Sequence, residues 1–132
     1  MRYLLDTNIC IYILKQAPPQ VFRRFESLRV GDIGLSAITY SELQYGVANS
    51  SKPQENQQFL DGFLAPLEVL DYPAAACRMY GDLRTNLRRQ GTPIGPLDLL
   101  IAAHALHLGV SLVTNNLEEF DRIPSLQLEN WV

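Results

Sequence analysis

The sequence has few of the residues that mark secreted, membrane-spanning or metal–thiolate proteins. It holds only two cysteines, and neither Cys10 nor Cys77 has a second Cys or a His at metal-ligand spacing. The longest apolar runs are far shorter than a membrane span, and the start of the chain lacks the basic region and cleavage site of a signal peptide. These absences predict a cytoplasmic protein with no membrane segment, in which both cysteines are buried, reduced thiols.

Positive charge is also scarce. Lysine and arginine together number 11 against 14 aspartates and glutamates, which leaves a net charge of −3, and only two of the cations are lysines, Lys15 and Lys52. The overall balance therefore carries no basic signature of nucleic-acid binding, although local charge matters more than the sum. A chain of 132 residues with 47% hydrophobic and 19% charged residues is typical of one globular domain, predicted to span residues 1–132.

Short apolar runs alternate with helical patterns along the chain. This alternation predicts βαβ units, and hence an α/β fold with a central, mostly parallel sheet of four to five strands and helices on both faces. The predicted strands are Met1–Leu5, Ile33–Ile38, Leu67–Leu70, Val110–Thr114 and, at one edge, Leu126–Glu129.

The first strand ends in a carboxylate. Asp6 follows the apolar run directly, and Thr7 or Asn8 is predicted to cap the helix Ile9–Lys15 that comes next. Asp6 therefore lies at the carboxyl end of a strand, where open α/β sheets bind their ligands. Taken alone, Asp6 could equally be a turn residue that accepts backbone N–H groups.

Further acidic and amide side chains follow later strands. Glu42 would close a capping box opened by Thr39 in the first turn after the second strand, and Asp98 lies in the first turn of a later helix. The side chains that follow the fourth strand are Asn116, Glu118, Glu119 and Asp121. Because the carboxyl ends of parallel strands meet at one edge of the sheet, these groups can converge with Asp6.

Each of these acids by itself can be explained as a helix cap, a turn residue or a solvated side chain. Such roles would not explain several acids meeting at one place. Carboxylates clustered in apolar surroundings must either take up protons or share a cation, and neither lysine falls at a strand end. Oxygen ligands without His or Cys suit Mg²⁺ or Mn²⁺. One or two such ions can activate a water and stabilise a phosphodiester in displacement, which predicts metal-assisted phosphodiester hydrolysis.

Three other interpretations remain open at this point. A phospho-aspartyl protein would need a lysine near the phosphoryl group and a second acid at the position of Asn8. A non-catalytic interaction domain would use the acids only as helix caps. A metal-free ribonuclease that uses the RNA 2′-hydroxyl would need general acid–base groups, but His104 and His107 lie in a buried-looking helix and are predicted to be structural.

Four segments resemble the successive motifs of PIN-domain ribonucleases and, more narrowly, the VapC toxins of bacterial toxin–antitoxin pairs. They are Leu5–Asn8, Ile38–Leu43, Pro96–Ala102 and Leu112–Asn116. The resemblance extends over nearly the whole chain. It implies a single-domain endoribonuclease that cleaves structured RNA, with tRNA as the expected substrate and initiator tRNA as a narrower possibility.

The same resemblance implies roles for particular residues. Asp6, Glu42 and Asp98 would hold Mg²⁺ and position the attacking water. Asn116 departs from the pattern, since many relatives have a fourth acid there, and Glu119 is the expected replacement, with Glu118 and Asp121 left open. The residues expected to support the acids are Thr7, Asn8, Thr114 and Asn116.

The resemblance also implies partners. A VapB antitoxin would wrap the chain, and the helix Ile9–Leu14 with Val21, Phe22 and Phe25 could offer it an apolar surface, although core packing explains these residues as well. A homodimer is expected on the same ground. RNA would require phosphate contacts outside the acidic site, and the residues expected to make them are Arg84, Arg88 and Arg89, with Arg23 and Arg24 as the second candidate surface.

Overall fold

The computed structural model describes all 132 residues and contains one five-stranded sheet whose strands are all parallel, in the order β3-β2-β1-β4-β5. The predicted α/β fold with a parallel sheet is thereby confirmed. β1 lies at the centre of the sheet, so that the residue following it emerges between the ends of β2 and β4. The strands are β1 Tyr3–Leu5, β2 Ile33–Ser36, β3 Glu68–Leu70, β4 Ser111–Val113 and β5 Leu128–Glu129.

Helices cover both faces of the sheet. Successive residues of β1 point to opposite faces, so that Tyr3 and Leu5 enter one hydrophobic cluster and Leu4 enters another. All three are buried, as expected for the central strand of a parallel sheet. The helices are α1 Thr7–Lys15, α2 Pro19–Glu26, α3 Ala37–Ala48, α4 Pro53–Leu64, α5 Ala74–Arg89, α6 Pro96–Leu108 and α7 Leu117–Phe120, with a short 3-10 turn at Val30–Asp32. None of these helices has the length and apolar character needed to cross a bilayer.

Two predicted helix starts are wrong. Asp6, rather than Thr7 or Asn8, caps α1: its Oδ1 accepts a 2.9 Å hydrogen bond from Ile9 N. The helix after the second strand begins at Ala37, where Ser36 Oγ accepts from Ile38 N at 3.1 Å.

The capping box at Thr39 therefore does not form, and Glu42 lies in the second turn of α3 rather than the first. The physical reason is that β2 ends at Ser36, two residues before the predicted end, where its pairing with β3 also ends at Leu70, and the Ser36 side chain then caps the helix.

Two burial predictions also need correction. Cys10 is buried in the core, but Cys77 is exposed on α5. His104 is buried in α6, whereas His107 is exposed. α5 and the end of α6 are covered on one side only, and apolar spacing in a sequence does not say which side of a helix faces water.

Candidate active site

Asp6 sits at the carboxyl end of the central strand. Its backbone N–H donates to Val113 O at 3.0 Å, which holds it between β1 and β4, and its side chain is almost fully buried. Burial raises the pKa of Asp6 to about 6, hydrogen bonds from the Thr114 side chain and the Ile9 N–H act in the opposite direction, and the charge of Glu42 raises it further. Asp6 is thus a carboxyl group that is costly to ionise without a cation.

Glu42 reaches the site from the second turn of α3. Thr7 Oγ1 donates a 2.7 Å hydrogen bond to Glu42 Oε1, which ties the start of α1 to α3. Since Thr7 follows Asp6 directly, this bond brings Glu42 close enough for its charge to act on Asp6. Asn8, which was expected to support Asp6, is exposed and makes no side-chain hydrogen bond in the site.

Asp98 and Glu119 form a carboxyl pair. The pKa of Asp98 is raised to about 7, first by burial, then by the charge of Glu119 and a hydrogen bond between the two side chains, and also by the charges of Glu42 and Asp6. The charges of the other three acids expected in the site all act on Asp98. Asp98 is therefore, like Asp6, a carboxyl group that is costly to ionise without a cation.

Glu119 is the acid that α7 directs toward Asp98. Asn116 Nδ2 donates to Glu119 Oε2 at 2.8 Å, and Gly95 N donates to Glu119 Oε1 at 3.1 Å. The Asn116 N–H in turn donates to Thr114 Oγ1 at 3.0 Å. Glu118 and Asp121, the two open alternatives, are exposed.

Two contributors were missed by the sequence reasoning. The Gly95 N–H is one, and the Ser36 side chain, which caps α3, is the other. A Cβ atom at position 95 would lie 3.8 Å from both Asp98 Oδ2 and Glu119 Oε1, so this glycine lies against both acids. The Gly95-Pro96 step was a usable signal, since proline at the first position marks the start of a helix, and the N–H of the residue before it has no acceptor within the helix.

No basic side chain of the protein neutralises the four acids. The ion pairs in the structure join Arg2 to Asp32, Arg24 to Glu129 and Lys52 to Glu55, all away from the site. Carboxylate oxygens with uncompensated negative charge match what a hard divalent cation requires.

With the side chains as they stand, however, no group of three or more His, Cys, Asp or Glu residues is close enough together to hold one metal ion. Glu42 is held by Thr7, and Glu119 is held by Asn116 and Gly95. The donor set fits a divalent cation in chemistry and charge, and a cation would have to draw the carboxylates inward from these positions.

The three arginines expected to contact RNA lie together near the end of α5. With Gly81 and Thr85 they line a polar concave surface of about 490 Å³. Arg84 Nη1 donates to Tyr80 OH at 2.6 Å, and none of the three forms an ion pair. α5 packs against α6, and the short loop after Arg89 leads to Gly95, so this surface lies toward the end of α6 that bears Asp98.

The apolar surface proposed from the sequence is largely core. Ile9 and Val21 are fully buried, so core packing accounts for them. A different apolar groove, of about 380 Å³, lies between α1, α3 and α4. Its wall includes Phe59, which is 66% exposed, and Glu42 lines the same groove. The groove therefore adjoins the acidic site.

Comparison with known proteins places this arrangement in a family. The PIN domain family model matches residues 3–126. The chain is 48% identical to Ribonuclease VapC2 of Rickettsia felis over 99% of this chain and 98% of that protein. It is 44% identical to the tRNA(fMet)-specific endonuclease VapC of Shigella flexneri, again over 99% and 98%. The crystal structure of DNA-bound VapBC from Salmonella typhimurium superposes with a TM-score of 0.94 at 43% identity, covering 100% of this chain and 99% of that chain.

The parallel α/β fold, the acids at its strand ends and the family match define the class: this chain belongs to the PIN-domain family. Identities of 48% and 44% over almost the entire length place it, within that family, among the VapC proteins. The resemblance carried by the four sequence motifs is thereby confirmed.

Proposed function

We propose that this chain is the toxin of a VapB–VapC pair and acts as a Mg²⁺-dependent endoribonuclease on structured RNA. The observation that carries the proposal is the electrostatic coupling of Asp6, Glu42, Asp98 and Glu119 at the end of the central strand, with no basic side chain to offset them. A negative cluster of this kind repels the RNA backbone unless a divalent cation lies between the two.

Asp6, Glu42 and Asp98 are the residues that would hold the ion, with Glu119 beside them. When bound, Mg²⁺ lowers the pKa of a water and stabilises the negative charge that develops on the phosphate. The protein's own contribution is orientation. Thr7 directs the Glu42 carboxylate, and the Ile9 N–H holds one oxygen of Asp6.

Asn116 and the Gly95 N–H each occupy one oxygen of Glu119, which keeps this side chain directed at Asp98. The burial and the neighbouring charges that raise the pKa of Asp98 would be offset by a cation bound there. Asn116 occupies the position where many relatives have an acid. Its role here is to hold Glu119, the acid that replaces the missing one.

We further propose tRNA as the substrate, with initiator tRNA as the narrower expectation. The support is the name of the Shigella flexneri relative, a tRNA(fMet)-specific endonuclease that is 44% identical to this chain. A phospho-aspartyl mechanism is less well supported, because neither lysine pairs with the acids and Lys52 is engaged with Glu55 at 3.9 Å.

The test is cleavage of total tRNA by the purified chain freed of antitoxin, in Mg²⁺ and in chelator. We expect cleavage in Mg²⁺ that leaves a 5′-phosphate and disappears in chelator. Cleavage that persists in chelator and leaves a cyclic phosphate would reject the metal mechanism. Absence of cleavage together with absence of Mg²⁺ binding would favour the non-catalytic interaction domain.

The arginines on α5 are proposed to contact RNA phosphates. The double change Arg84→Ala with Arg88→Ala is expected to raise KM about 10-fold, to leave kcat within about twofold, and to reduce the slope of log KM against log salt by about 2. The control is Arg29→Ala, an exposed arginine just before the 3-10 turn. An equal effect from the control, or a loss confined to kcat, would contradict a phosphate-binding role for this surface.

The partner is proposed to be a VapB-type antitoxin seated in the apolar groove between α1, α3 and α4. The solved complex from Salmonella typhimurium is a VapBC assembly, which supports such a partner. Phe59 and Glu42 line the groove, so an antitoxin segment there would also lie over the acidic site. In the tRNA assay, Phe59→Glu should retain cleavage and escape inhibition by the antitoxin; unchanged inhibition would place the partner elsewhere.

A further inference from the structure

A buried polar contact behind the site joins the two helices that carry Glu42 and Asp98. Ser36 precedes α3, His104 lies in the middle of α6, and both side chains are almost completely shielded from solvent. Ser36 Oγ and His104 Nδ1 are 2.8 Å apart. The contact links residues 68 positions apart in the chain, so it brings together elements that are otherwise held by apolar packing.

The direction of this hydrogen bond follows from the other bond that Ser36 makes. Ser36 Oγ already accepts the Ile38 N–H at 3.1 Å, so its own proton is free to be donated. Donation to His104 Nδ1 gives this proton an acceptor, and it requires neutral imidazole with its proton on Nε2. The reverse arrangement would leave the buried serine proton without an acceptor, which is unfavourable.

The imidazole is held in place from a second direction. The Tyr72 ring stacks on His104 with centroids 5.0 Å apart and planes 8° from parallel. Tyr72 OH donates to Leu100 O at 2.7 Å, which anchors the stacking ring to α6 itself. Burial lowers the pKa of His104, in keeping with the neutral tautomer. His104 is therefore a rigid acceptor for Ser36.

Ser36 is the only side chain that caps the start of α3. Thr39, in the first turn of the helix, is buried, and its hydroxyl has no partner. A helix start with a single cap depends on that cap for the orientation of its first turns. Glu42 lies in the second of those turns, six residues after Ser36.

We infer that His104 is a positioning residue, which acts through Ser36 to set α3, and with it Glu42, relative to Asp98 on α6. The inference rests on the proposed function for its catalytic consequence, but the geometric claim stands by itself. Residues that orient ligating carboxylates from behind typically contribute 10-fold to 100-fold to metal affinity or activity. His104 would act on Glu42 through the Ser36 cap of α3 and not through a direct hydrogen bond to the carboxylate.

The test uses His104→Phe, which keeps a stacking ring but removes the acceptor, and Ser36→Ala, which removes one atom. Three quantities are measured: the dissociation constant for Mn²⁺ without RNA, amide hydrogen exchange at residues 38–42, and kcat with KM on tRNA. Each variant is expected to weaken Mn²⁺ binding about 10-fold, lower kcat about 10-fold, leave KM within about twofold and speed exchange at Ile38. The double variant should match the single ones.

Two further variants give a rescue and a control. His104→Asn, whose amide oxygen can accept from Ser36, should recover part of the Mn²⁺ affinity lost in His104→Phe. His107→Phe makes the same substitution on the exposed side of the same helix and should change none of the three quantities. If His104→Phe does not fold, Ser36→Ala still removes the contact, and His104→Asn, which keeps an acceptor, should then bind Mn²⁺ more tightly than Ser36→Ala does.

Additive effects in the double variant would overturn the inference, as would lower thermal stability with unchanged Mn²⁺ affinity and unchanged exchange at residues 38–42. Failure of the proposed function has a different signature: the unaltered chain would cleave no RNA. In that case amide exchange in the single and double variants still decides whether His104 holds α3 through Ser36.

Discussion

Asp98→Asn is expected to abolish RNA cleavage and, at the same time, to raise the unfolding temperature of the metal-free protein at about pH 8. Asparagine keeps the size of the side chain but removes a charge that is opposed by burial and by the charges of Glu119, Glu42 and Asp6. The native state thereby loses a repulsion, and the reaction loses a proposed Mg²⁺ ligand. Removing one member of a set of residues that act as a unit lowers kcat by about 10³-fold or more.

The measurements are single-turnover cleavage of tRNA in Mg²⁺ and thermal unfolding in chelator. Asp121→Asn is the matched control, an exposed aspartate that follows Glu119 by two residues, and it should leave both quantities within about twofold or a degree of the unaltered chain. A variant that loses activity and stability together would show that Asp98 is needed for folding rather than for the reaction.

The same assay separates Glu119 from its neighbour. Glu119→Gln removes the charge that acts most strongly on Asp98 after burial, and we expect it to lower kcat about 10²-fold. Glu118→Gln changes an exposed glutamate one residue away and should have no effect. Equal losses from both substitutions would reject the assignment of Glu119 to the site.

Stability of the metal-free protein is expected to fall as the pH rises from about 4 to about 7, and Mg²⁺ is expected to restore it. The pKa of Asp6 is raised from 3.8 to about 6 in the folded protein, and that of Asp98 is raised to about 7. In this window the native state binds more protons than the unfolded state, so the free energy of unfolding decreases with increasing pH. For the buried Asp6 the effect is on the order of 3 kcal/mol.

A loss of this size corresponds to a drop in the unfolding temperature of roughly 10 °C for a chain of this length. The measurement is thermal unfolding across the pH window, with chelator or with Mg²⁺ at about millimolar concentration. Asp6→Asn is the control, because its amide oxygen can still accept the Ile9 N–H that caps α1. The unfolding temperature of Asp6→Asn should fall less between about pH 4 and about pH 7 than that of the unaltered chain. An equal fall in both proteins would show that the ionisation of Asp6 is not the cause.

Predictions made from local sequence were accurate for the kind and order of the elements and less accurate for their ends. The parallel sheet and the strand at Tyr3–Leu5 follow from apolar runs bounded by polar residues. The start of α3 does not, since Thr39 and Glu42 satisfy the capping pattern but Ser36 makes the cap. Several residues near a helix start can cap it. Which of them does so depends on the residue at which the preceding strand ends its pairing with the neighbouring strand.

For the apolar helix faces, too, the sequence predicted one part and the tertiary structure determined the other. The helical spacing of Ile9 and Val21 was compatible with either the core or a partner surface, and the packing of α1 and α2 decided for the core. The groove beside the exposed Phe59 is formed by the packing of α4 against α1 and α3, so it could not be predicted from the sequence of any one helix. Amphipathic spacing identifies an apolar face but does not identify what covers it.

The sequence by itself determined the order of strands and helices, and from it the prediction that Asp6, Glu42, Asp98 and one acid after β4 can lie at one edge of the sheet. The reason is that parallel strands with helical crossovers bring their carboxyl ends to the same side. Only the tertiary structure decided that Glu119, rather than Glu118 or Asp121, lies against Asp98, and that His104 contacts Ser36 at the start of the helix of Glu42. Chain order sets the edge at which a side chain emerges. The rotation of each helix about its axis sets the direction in which that side chain points, and this rotation is established by packing between residues far apart in the sequence.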